Sequence, residues 1–158
     1  MQRLAREIMT RDVITVPPDM DLRELAHLFV ESEITGAPVV DGNGSTIGVI
    51  SLTDLVFYST TRDDELIVDS YFYQNAKIQG QHVPKGFQVE DCNTGVVADV
   101  MTPVVHSVSE RATLTSVARK MARNHLHRVI VKRGKKLTGI ISATDILRAV
   151  GEQRAETT

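Results

Sequence analysis

The chain has 158 residues, of which 42% are hydrophobic and 24% are charged, as is ordinary for a globular protein. It contains no apolar run long enough to span a membrane, and its N-terminus, MQRLAREIMTRD, has no apolar core typical of a secretion signal. The single cysteine, Cys92, cannot form an internal disulfide, which fits a reducing compartment. We therefore expect a cytoplasmic protein without a membrane segment.

Charge is distributed unevenly along the chain. Residues 1–97 contain 7 Lys and Arg against 15 Asp and Glu, a net charge of −8, whereas residues 98–158 contain 11 against 5, a net charge of +6. A cationic half favours ligands that carry phosphate, or nucleic acid. Nucleic acid binding is disfavoured, because Arg119, Lys120 and Arg123 follow the polar face of an amphipathic helix without aromatic residues for base stacking.

The first predicted element is a short extended segment, VITV at 13–16. A helix follows, because four apolar residues have the spacing of one buried helix face: Leu22, Leu25, Ala26 and Phe29. Asp19 or Asp21 is its N-cap. Two strands, APVV and TIGVI, flank the sequence DGNG at 41–44, which is a strong hairpin signal. A closing helix begins near Asp54.

The next segment, residues 59–96, lies in the part of the chain that is richest in aromatic residues. Six of the seven aromatic residues of the chain lie between positions 57 and 87, namely Phe57, Tyr58, Tyr71, Phe72, Tyr73 and Phe87. A plain linker would be flexible and polar. The segment is therefore predicted either to pack back on the protein or to serve as a lid or a subunit contact.

The second part of the chain repeats the first. At an offset of 92, REIMTRDVITV matches ADVMTPVVHSV, and LRELAHLFVESEITGAPVV matches LTSVARKMARNHLHRVIVK. At an offset of 91, GVISLTD at 48–54 matches GIISATD at 139–145. Each copy is predicted to be β-α-β-β-α, with Ser109 or Thr113 as the helix N-cap in the second. Since one copy alone cannot bury both faces of a small sheet, the two should pack on each other.

Both copies end a buried strand with Ser-x-x-Asp, at Ser51 and Asp54 and again at Ser142 and Asp145. Ligands gather at the carboxyl ends of strands in such units, and an ionised carboxylate matches the vicinal hydroxyls of a ribose. The same residues also suit a plain helix cap, with serine at the N-cap and aspartate in the first turn. The residues alone leave both interpretations open.

The order, spacing and duplication of these motifs resemble a cystathionine-β-synthase (CBS) domain pair, also called a Bateman module. The resemblance is carried by IMT and VMT at the start of the copies, ITGAPVVD and LHRVIVK in the middle, and GVISLTD and GIISATD at the end. It implies an α/β (α+β) fold of tandem CBS domains at 5–58 and 97–150. Each would have a small mixed sheet, and the two would pack with pseudo-two-fold symmetry. Residues 59–96 would be an insertion and 151–158 a tail.

The resemblance also implies a regulatory ligand, an adenine nucleotide (AMP, ADP or ATP) or an adenosyl compound such as S-adenosylmethionine, in the cleft between the copies. It implies no required cofactor, no metal and no enzymatic activity. One site would use Thr10, Val13, Ile14, Gly36, Ala37, Pro38, Ser51 and Asp54. The other would use Thr102, Val105, His106, His127, Arg128, Val129, Ile130, Ser142 and Asp145. Because His127 and Arg128 stand where the first copy has Thr35 and Gly36, the second site should bind phosphate better.

A stand-alone CBS pair is expected to form a homodimer and to regulate a target protein in trans by a conformational change. The alternative is a structural dimerisation module whose pockets no longer bind ligand. A metal site at His106, His125 and His127 is disfavoured, because alternate residues of a strand lie about 7 Å apart and no cysteine is near. No G-x-S-x-G, P-loop or G-x-G-x-x-G motif indicates an enzyme.

Overall fold

Short helices and strands alternate along the protein, whose computed structural model describes residues 3–60, 77–78, 81–82 and 95–155. The predictions made for Tyr71, Phe72, Tyr73, Phe87 and Cys92 lie outside these residues. No helix among the described residues combines the length and the apolarity that a membrane crossing requires.

The first repeat contains the predicted long helix, hairpin and closing helix, preceded by a short helix that was not predicted. They are α1 (Ala5–Ile8), α2 (Leu22–Glu31), β1 (Gly36–Val40), β2 (Thr46–Ser51) and α3 (Leu52–Thr60). The predicted extended segment at 13–16 contributes one parallel bridge, from Val16 to Val39. Between the repeats, β3 (Lys77–Ile78) and β4 (Gln81–His82) pair antiparallel.

The second repeat has the same order of elements with one additional strand. They are α4 (Val97–Val100), β5 (Ser107–Ser109), α5 (Leu114–Arg123), β6 (Arg128–Arg133), β7 (Lys136–Ser142) and α6 (Ala143–Ala155). Strand β5 runs parallel to β6, and β6 runs antiparallel to β7, with an irregularity between Val131 and Lys132. The sheet is mixed, as the resemblance implies, so the β-α-β-β-α prediction is confirmed.

Helices α2 and α5 are each capped by a side chain at the N-terminus. Asp21 accepts a hydrogen bond from the Arg23 N–H at 2.8 Å, and Thr113 accepts one from the Ser116 N–H at 3.3 Å. Both caps satisfy backbone donors that a helix N-terminus leaves without partners. Of the alternatives in the sequence, Asp21 rather than Asp19 caps α2, and Thr113 rather than Ser109 caps α5.

Helices α2 and α5 also end in the same way. Glu33 and His125, two residues beyond each helix, adopt left-handed conformations with φ of 52° and 53°. After α2, the Ile34 N–H donates to the Phe29 carbonyl at 3.0 Å, and the Glu33 N–H donates to the Val30 carbonyl at 3.2 Å. These two bonds form a Schellman motif, which usually places glycine where Glu33 and His125 stand.

The chain divides into two structural units whose limits differ from those of the repeats. The first-repeat unit comprises residues 14–43 and 47–104, and the second-repeat unit comprises residues 1–13, 44–46 and 105–158. Helix α1 therefore belongs with the second repeat, and α4 belongs with the first.

Backbone hydrogen bonds fix this exchange of the short helices. The Ala5 N–H donates to the Ala112 carbonyl at 2.8 Å in the second-repeat unit. The Val97 N–H donates to the Met20 carbonyl at 2.9 Å in the first-repeat unit. Ala5 and Val97 are both fully buried, so each short helix adds an apolar side chain to the core of the opposite repeat.

Each unit has its own apolar core. The core of the first-repeat unit contains Val16, Leu22, Leu25, Ala26, Phe29, Ala37, Val39, Ile50, Leu55 and Val97. The core of the second-repeat unit contains Ala5, Met9, Val117, Met121, Val129, Val131 and Ile141. The apolar helix face predicted from the spacing of Leu22, Leu25, Ala26 and Phe29 is therefore confirmed, because all four side chains are buried.

Candidate functional site

The first Ser-x-x-Asp sequence forms a closed turn between β2 and α3. The Oδ2 atom of Asp54 accepts hydrogen bonds from the Ser51 backbone N–H and from its hydroxyl, both at 2.7 Å. The Asp54 N–H faces the Ser51 Oγ at 3.4 Å. Ser51 is thus the residue before the helix and Asp54 is its third residue.

The second Ser-x-x-Asp sequence forms the same turn between β7 and α6. The Oδ2 atom of Asp145 accepts from the Ser142 backbone N–H at 2.8 Å and from the Ser142 hydroxyl at 2.7 Å. The Asp145 N–H faces the Ser142 Oγ at 3.2 Å. All four residues of the two turns are half-buried.

Both turns are reciprocal capping boxes, with the serine and the aspartate satisfying each other's backbone N–H. The interpretation of these residues as helix caps is therefore confirmed. The box uses the Oδ2 atom of each aspartate. In Asp145 the other carboxylate oxygen, Oδ1, lies 3.4 Å from the Nη1 atom of Arg148, one helical turn further along α6. A carboxylate with one oxygen fixed by a cap can still accept a hydrogen bond at the other.

The residues that directly precede β1 and β6 lie beside these turns. The Leu52 N–H donates to the Thr35 carbonyl at 2.9 Å, and the Ala143 N–H donates to the His127 carbonyl at 3.0 Å. The next residue in the chain is Gly36 in the first repeat and Arg128 in the second. Gly36 approaches β2 so closely that a Cβ there would lie 3.0 Å from the carbonyl oxygen of Ile50.

Arg128 brings a cation to the second turn. It stands opposite Ser142 in the register of β6 and β7. Burial lowers the pKa of its guanidinium below the ordinary value, while the negative charge of Asp145 acts in the opposite direction. Arginine stays protonated in proteins, so Arg128 adds a positive charge to the strand that leads past this turn.

The Met-Thr motifs at the start of each repeat lie at the strands of the opposite repeat. Thr10 exchanges two backbone hydrogen bonds with Ile140 in β7, at 2.9 and 3.0 Å, and Thr102 exchanges two with Val49 in β2, both at 2.9 Å. The resemblance grouped Thr10 with the first Ser-x-x-Asp and Thr102 with the second. The structure pairs each with the strand that leads into the other.

Two glycines make that pairing possible. A Cβ at Gly48 would lie 2.9 Å from the Thr102 carbonyl oxygen, and a Cβ at Gly139 would lie 2.9 Å from the Thr10 carbonyl oxygen. These glycines lead the motifs GVISLTD and GIISATD. Their role in the motif is therefore to let the opposite Met-Thr segment approach the strand.

The other predicted ligand residues lie along the same strands. In the first-repeat unit, Ala37 and Pro38 are buried and Ile14 is exposed. In the second-repeat unit, Val129 and Ile130 are buried and His127 is exposed. The half-buried residues of that unit are Val13, Val105 and His106. His106 and Ile130 are neighbours, because the Ile130 N–H donates to the His106 carbonyl at 3.2 Å. A surface groove along α2, lined by Met20, Asp21, Arg23, Glu24, His27, Leu28 and Glu31, contains none of these residues.

One residue at the second turn was not predicted from the sequence. Arg148 follows Asp145 by three positions on α6, a spacing that brings two side chains of a helix together. That spacing was visible in the sequence TDILRAV and could have indicated the pair. Among the described residues, no three His, Cys, Asp or Glu side chains lie close enough to hold a metal ion.

Comparison with known proteins gives the same picture of a duplicated domain. Residues 5–60 and 97–152 match the family model of the CBS domain. Uncharacterized protein MJ1426 of Methanocaldococcus jannaschii is 27% identical over 160 residues, which cover 93% of this chain and 90% of that protein. Other curated relatives are longer, and the chain spans 44% and 62% of two of them.

Solved structures resemble the whole described fold. The crystal structure of CBSX2 from Arabidopsis thaliana in complex with AMP has a TM-score of 0.71 and 26% identity, and covers 94% of this chain and 97% of its own. The CBS domain pair of MJ0100, crystallised with 5′-methylthioadenosine and S-adenosylmethionine, has a TM-score of 0.70 at 20% identity, covers 97% of this chain and 99% of its own, and so shows the fold. With two matched repeats, this chain belongs to the CBS domain family.

Proposed function

We propose that this CBS pair is a regulatory module that binds an adenine nucleotide, or an adenosyl compound such as S-adenosylmethionine, through Asp54 and Asp145. The observation that carries the proposal is the identical Ser-x-x-Asp turn in both repeats, each with a carboxylate fixed through Oδ2. The AMP complex of CBSX2, which is 26% identical to this chain, supports an adenosine ligand.

The carboxylate of each turn is suited to the sugar of such a ligand. Its Oδ1 atom accepts a ribose hydroxyl while Oδ2 stays in the capping box, so the aspartate is held in one orientation before the ligand arrives. At the second turn, the positive end of the α6 dipole favours a phosphate group. The remaining predicted residues of the strands contact the base by apolar surface and backbone groups.

The function is regulation without bond-breaking chemistry. Each ribose-binding aspartate also caps a helix, so a ligand that pulls on the carboxylate acts on the N-terminus of α3 or α6. A conformational change of this kind can be read by a target protein in trans, and we propose that the module works as a homodimer. The ligand is a regulatory effector, and no cofactor is needed for this role.

One observation favours the alternative, a structural dimerisation module. The capping boxes are closed by the protein's own serine and aspartate, and a helix cap alone stabilises a protein by about 1 kcal/mol. A cap is therefore a sufficient reason for the motif in the absence of any ligand.

Calorimetry separates the two functions. A mononucleotide of about 23 non-hydrogen atoms, at about 0.3 kcal/mol each, should bind with a dissociation constant on the order of ten micromolar. The chain is titrated with AMP, ADP, ATP and S-adenosylmethionine, and the Asp54→Asn/Asp145→Asn variant serves as the control. A ligand at a hundred times its dissociation constant should also add about 2.7 kcal/mol to the free energy of unfolding.

The expected result is binding of at least one of the four compounds and its loss in the double variant. If none of the four compounds gives a binding heat or a thermal stabilisation, the structural dimerisation module is supported instead. Sedimentation velocity with and without ligand tests the homodimer, because a monomer at micromolar concentration in both states would contradict that part of the proposal.

A further inference from the structure

The surroundings of the two ribose-binding carboxylates differ in charge. In the second-repeat unit, Asp145 lies beside two arginines. The Nη1 atom of Arg148 is 3.4 Å from Oδ1, and Arg128 stands opposite Ser142, whose hydroxyl donates to Asp145. The Arg148 side chain is 66% exposed, so it can turn toward a bound ligand. The carboxylate of this turn is therefore compensated by positive charge from the strand and from the helix.

The first repeat has no cation at either of the matching positions. Gly36 stands where the second repeat has Arg128, and Phe57 stands where it has Arg148. The backbone at Gly36 is too close to Ile50 for a side chain to be added without a shift, since a Cβ would lie 3.0 Å from the carbonyl oxygen. Phe57 is 66% exposed at the surface of α3. The difference is thus built into both elements that flank Asp54.

This difference changes which ligand each carboxylate tolerates. A phosphate brought near a carboxylate that lacks these two arginines is repelled, whereas one brought near the guanidinium groups gains charge-assisted hydrogen bonds. The charges of the two structural units differ in the same direction: the first-repeat unit contains 4 Lys and Arg against 14 Asp and Glu, and the second-repeat unit contains 14 against 6. An adenosyl group without phosphate, whether neutral or carrying a cationic sulfonium, avoids the repulsion at Asp54.

We infer that the two repeats select different ligand classes: Asp145 with Arg128 and Arg148 takes a phosphorylated adenosine, and Asp54 takes an adenosyl ligand that carries no phosphate. This inference rests on the proposed function, because it assumes that both carboxylates bind a ribose. It adds that the two sites of the chain report on two kinds of metabolite rather than on one.

Single-site variants of the full chain test the inference. Asp54→Asn leaves the second turn to bind ligand, and Asp145→Asn leaves the first. Each variant is titrated with adenosine and with AMP, which differ only by the phosphate. We expect the Asp54→Asn chain to bind AMP about tenfold or more tightly than adenosine, because a hydrogen bond to a charged group commonly contributes that factor. We expect the Asp145→Asn chain to bind adenosine at least as tightly as AMP.

Two further substitutions exchange the cations while leaving the proposed ribose contacts in place. In the Asp54→Asn chain, Arg148→Phe should lower the ratio of AMP affinity to adenosine affinity. In the Asp145→Asn chain, Phe57→Arg should raise AMP affinity. Both positions are exposed on helices, so folding is checked simply by the thermal unfolding curve.

The outcomes distinguish the inference from the function on which it rests. If adenosine, AMP, ADP, ATP and S-adenosylmethionine all fail to bind the unsubstituted chain, the proposed function itself is wrong. If adenosine and AMP both bind, but the ratio of AMP to adenosine affinity is the same in the two single-site variants, the function stands and the division of ligand classes is overturned.

Discussion

Met9 packs so tightly against Gly139 that a Cβ at position 139 would lie 2.5 Å from its sulfur. Met101 has the same relationship to Gly48 in the other unit, at 2.7 Å. In both cases the methionine comes from the start of one repeat, and the glycine comes from a strand of the other. The contact explains why the Met-Thr motif and the glycine of the Ser-x-x-Asp motif occur together in each copy.

Substitution of these glycines by alanine should therefore destabilise the protein. Gly48→Ala and Gly139→Ala each place a methyl group against a backbone carbonyl oxygen at 2.9 Å, and overpacking of this kind costs about 1–3 kcal/mol. Urea denaturation measures the free energy of unfolding. Gly42→Ala is the matched control, because a Cβ there has no neighbour within 4 Å. Equal stabilities for the three variants would contradict the close approach.

The capping boxes predict a loss of stability that does not depend on ligand. Ser142→Ala removes the hydroxyl that bonds to Asp145, and loss of an N-cap costs about 1 kcal/mol. The same result is expected for Ser51→Ala, since its bond to Asp54 has the same length of 2.7 Å. Ser142→Thr keeps the hydroxyl and is the control. Thermal unfolding without nucleotide should rank the alanine variant below the threonine variant.

The left-handed residues after α2 and α5 predict substitutions that stabilise the protein. Glu33→Gly and His125→Gly should each raise the free energy of unfolding by about 0.5–1 kcal/mol, because glycine adopts a φ near 52° without the steric cost of a side chain. Glu31→Gly, within α2, should instead lower it by about 1 kcal/mol through the poor helix propensity of glycine. Opposite signs for Glu33→Gly and Glu31→Gly in one denaturation series are the diagnostic result.

A buried carboxylate in the second-repeat unit depends on one ion pair. The Glu110 side chain is only 9% exposed, its Oε1 accepts from the Arg133 Nε at 2.8 Å, and its Oε2 has no hydrogen-bond partner in the described part of the chain. Arg133→Met leaves the buried charge uncompensated and should cost about 1–3 kcal/mol. Glu110→Met/Arg133→Met should recover part of that loss, because it removes the charge as well.

A double-mutant cycle checks this last prediction. The coupling energy between Glu110 and Arg133 is obtained from the two single variants and the double variant by urea denaturation. Additive effects would show that the ion pair contributes nothing to stability. Lys135→Met changes a neighbouring exposed cation of the same hairpin and should leave the free energy of unfolding within about 0.5 kcal/mol.

The sequence by itself determined the repeated β-α-β-β-α order, the apolar helix faces and the position of the Ser-x-x-Asp turns. These features follow from local periodicity, turn residues and motif spacing, all of which act over a few residues. It also allowed both interpretations of Ser51 and Asp54, as a cap and as a ligand site. The structure confirms the cap, and the ligand remains a proposal that calorimetry can decide.

Only the tertiary structure decided which repeat each Met-Thr segment joins. Thr10 and Thr102 stand in the similar motifs IMT and VMT, and these local patterns do not distinguish a strand of their own repeat from a strand of the other. Backbone pairing over more than fifty residues, from Thr102 to Val49 and from Thr10 to Ile140, settles the choice. The register of β6 and β7 likewise brings Arg128 to the turn that contains Asp145, and sequence spacing alone does not fix that pairing.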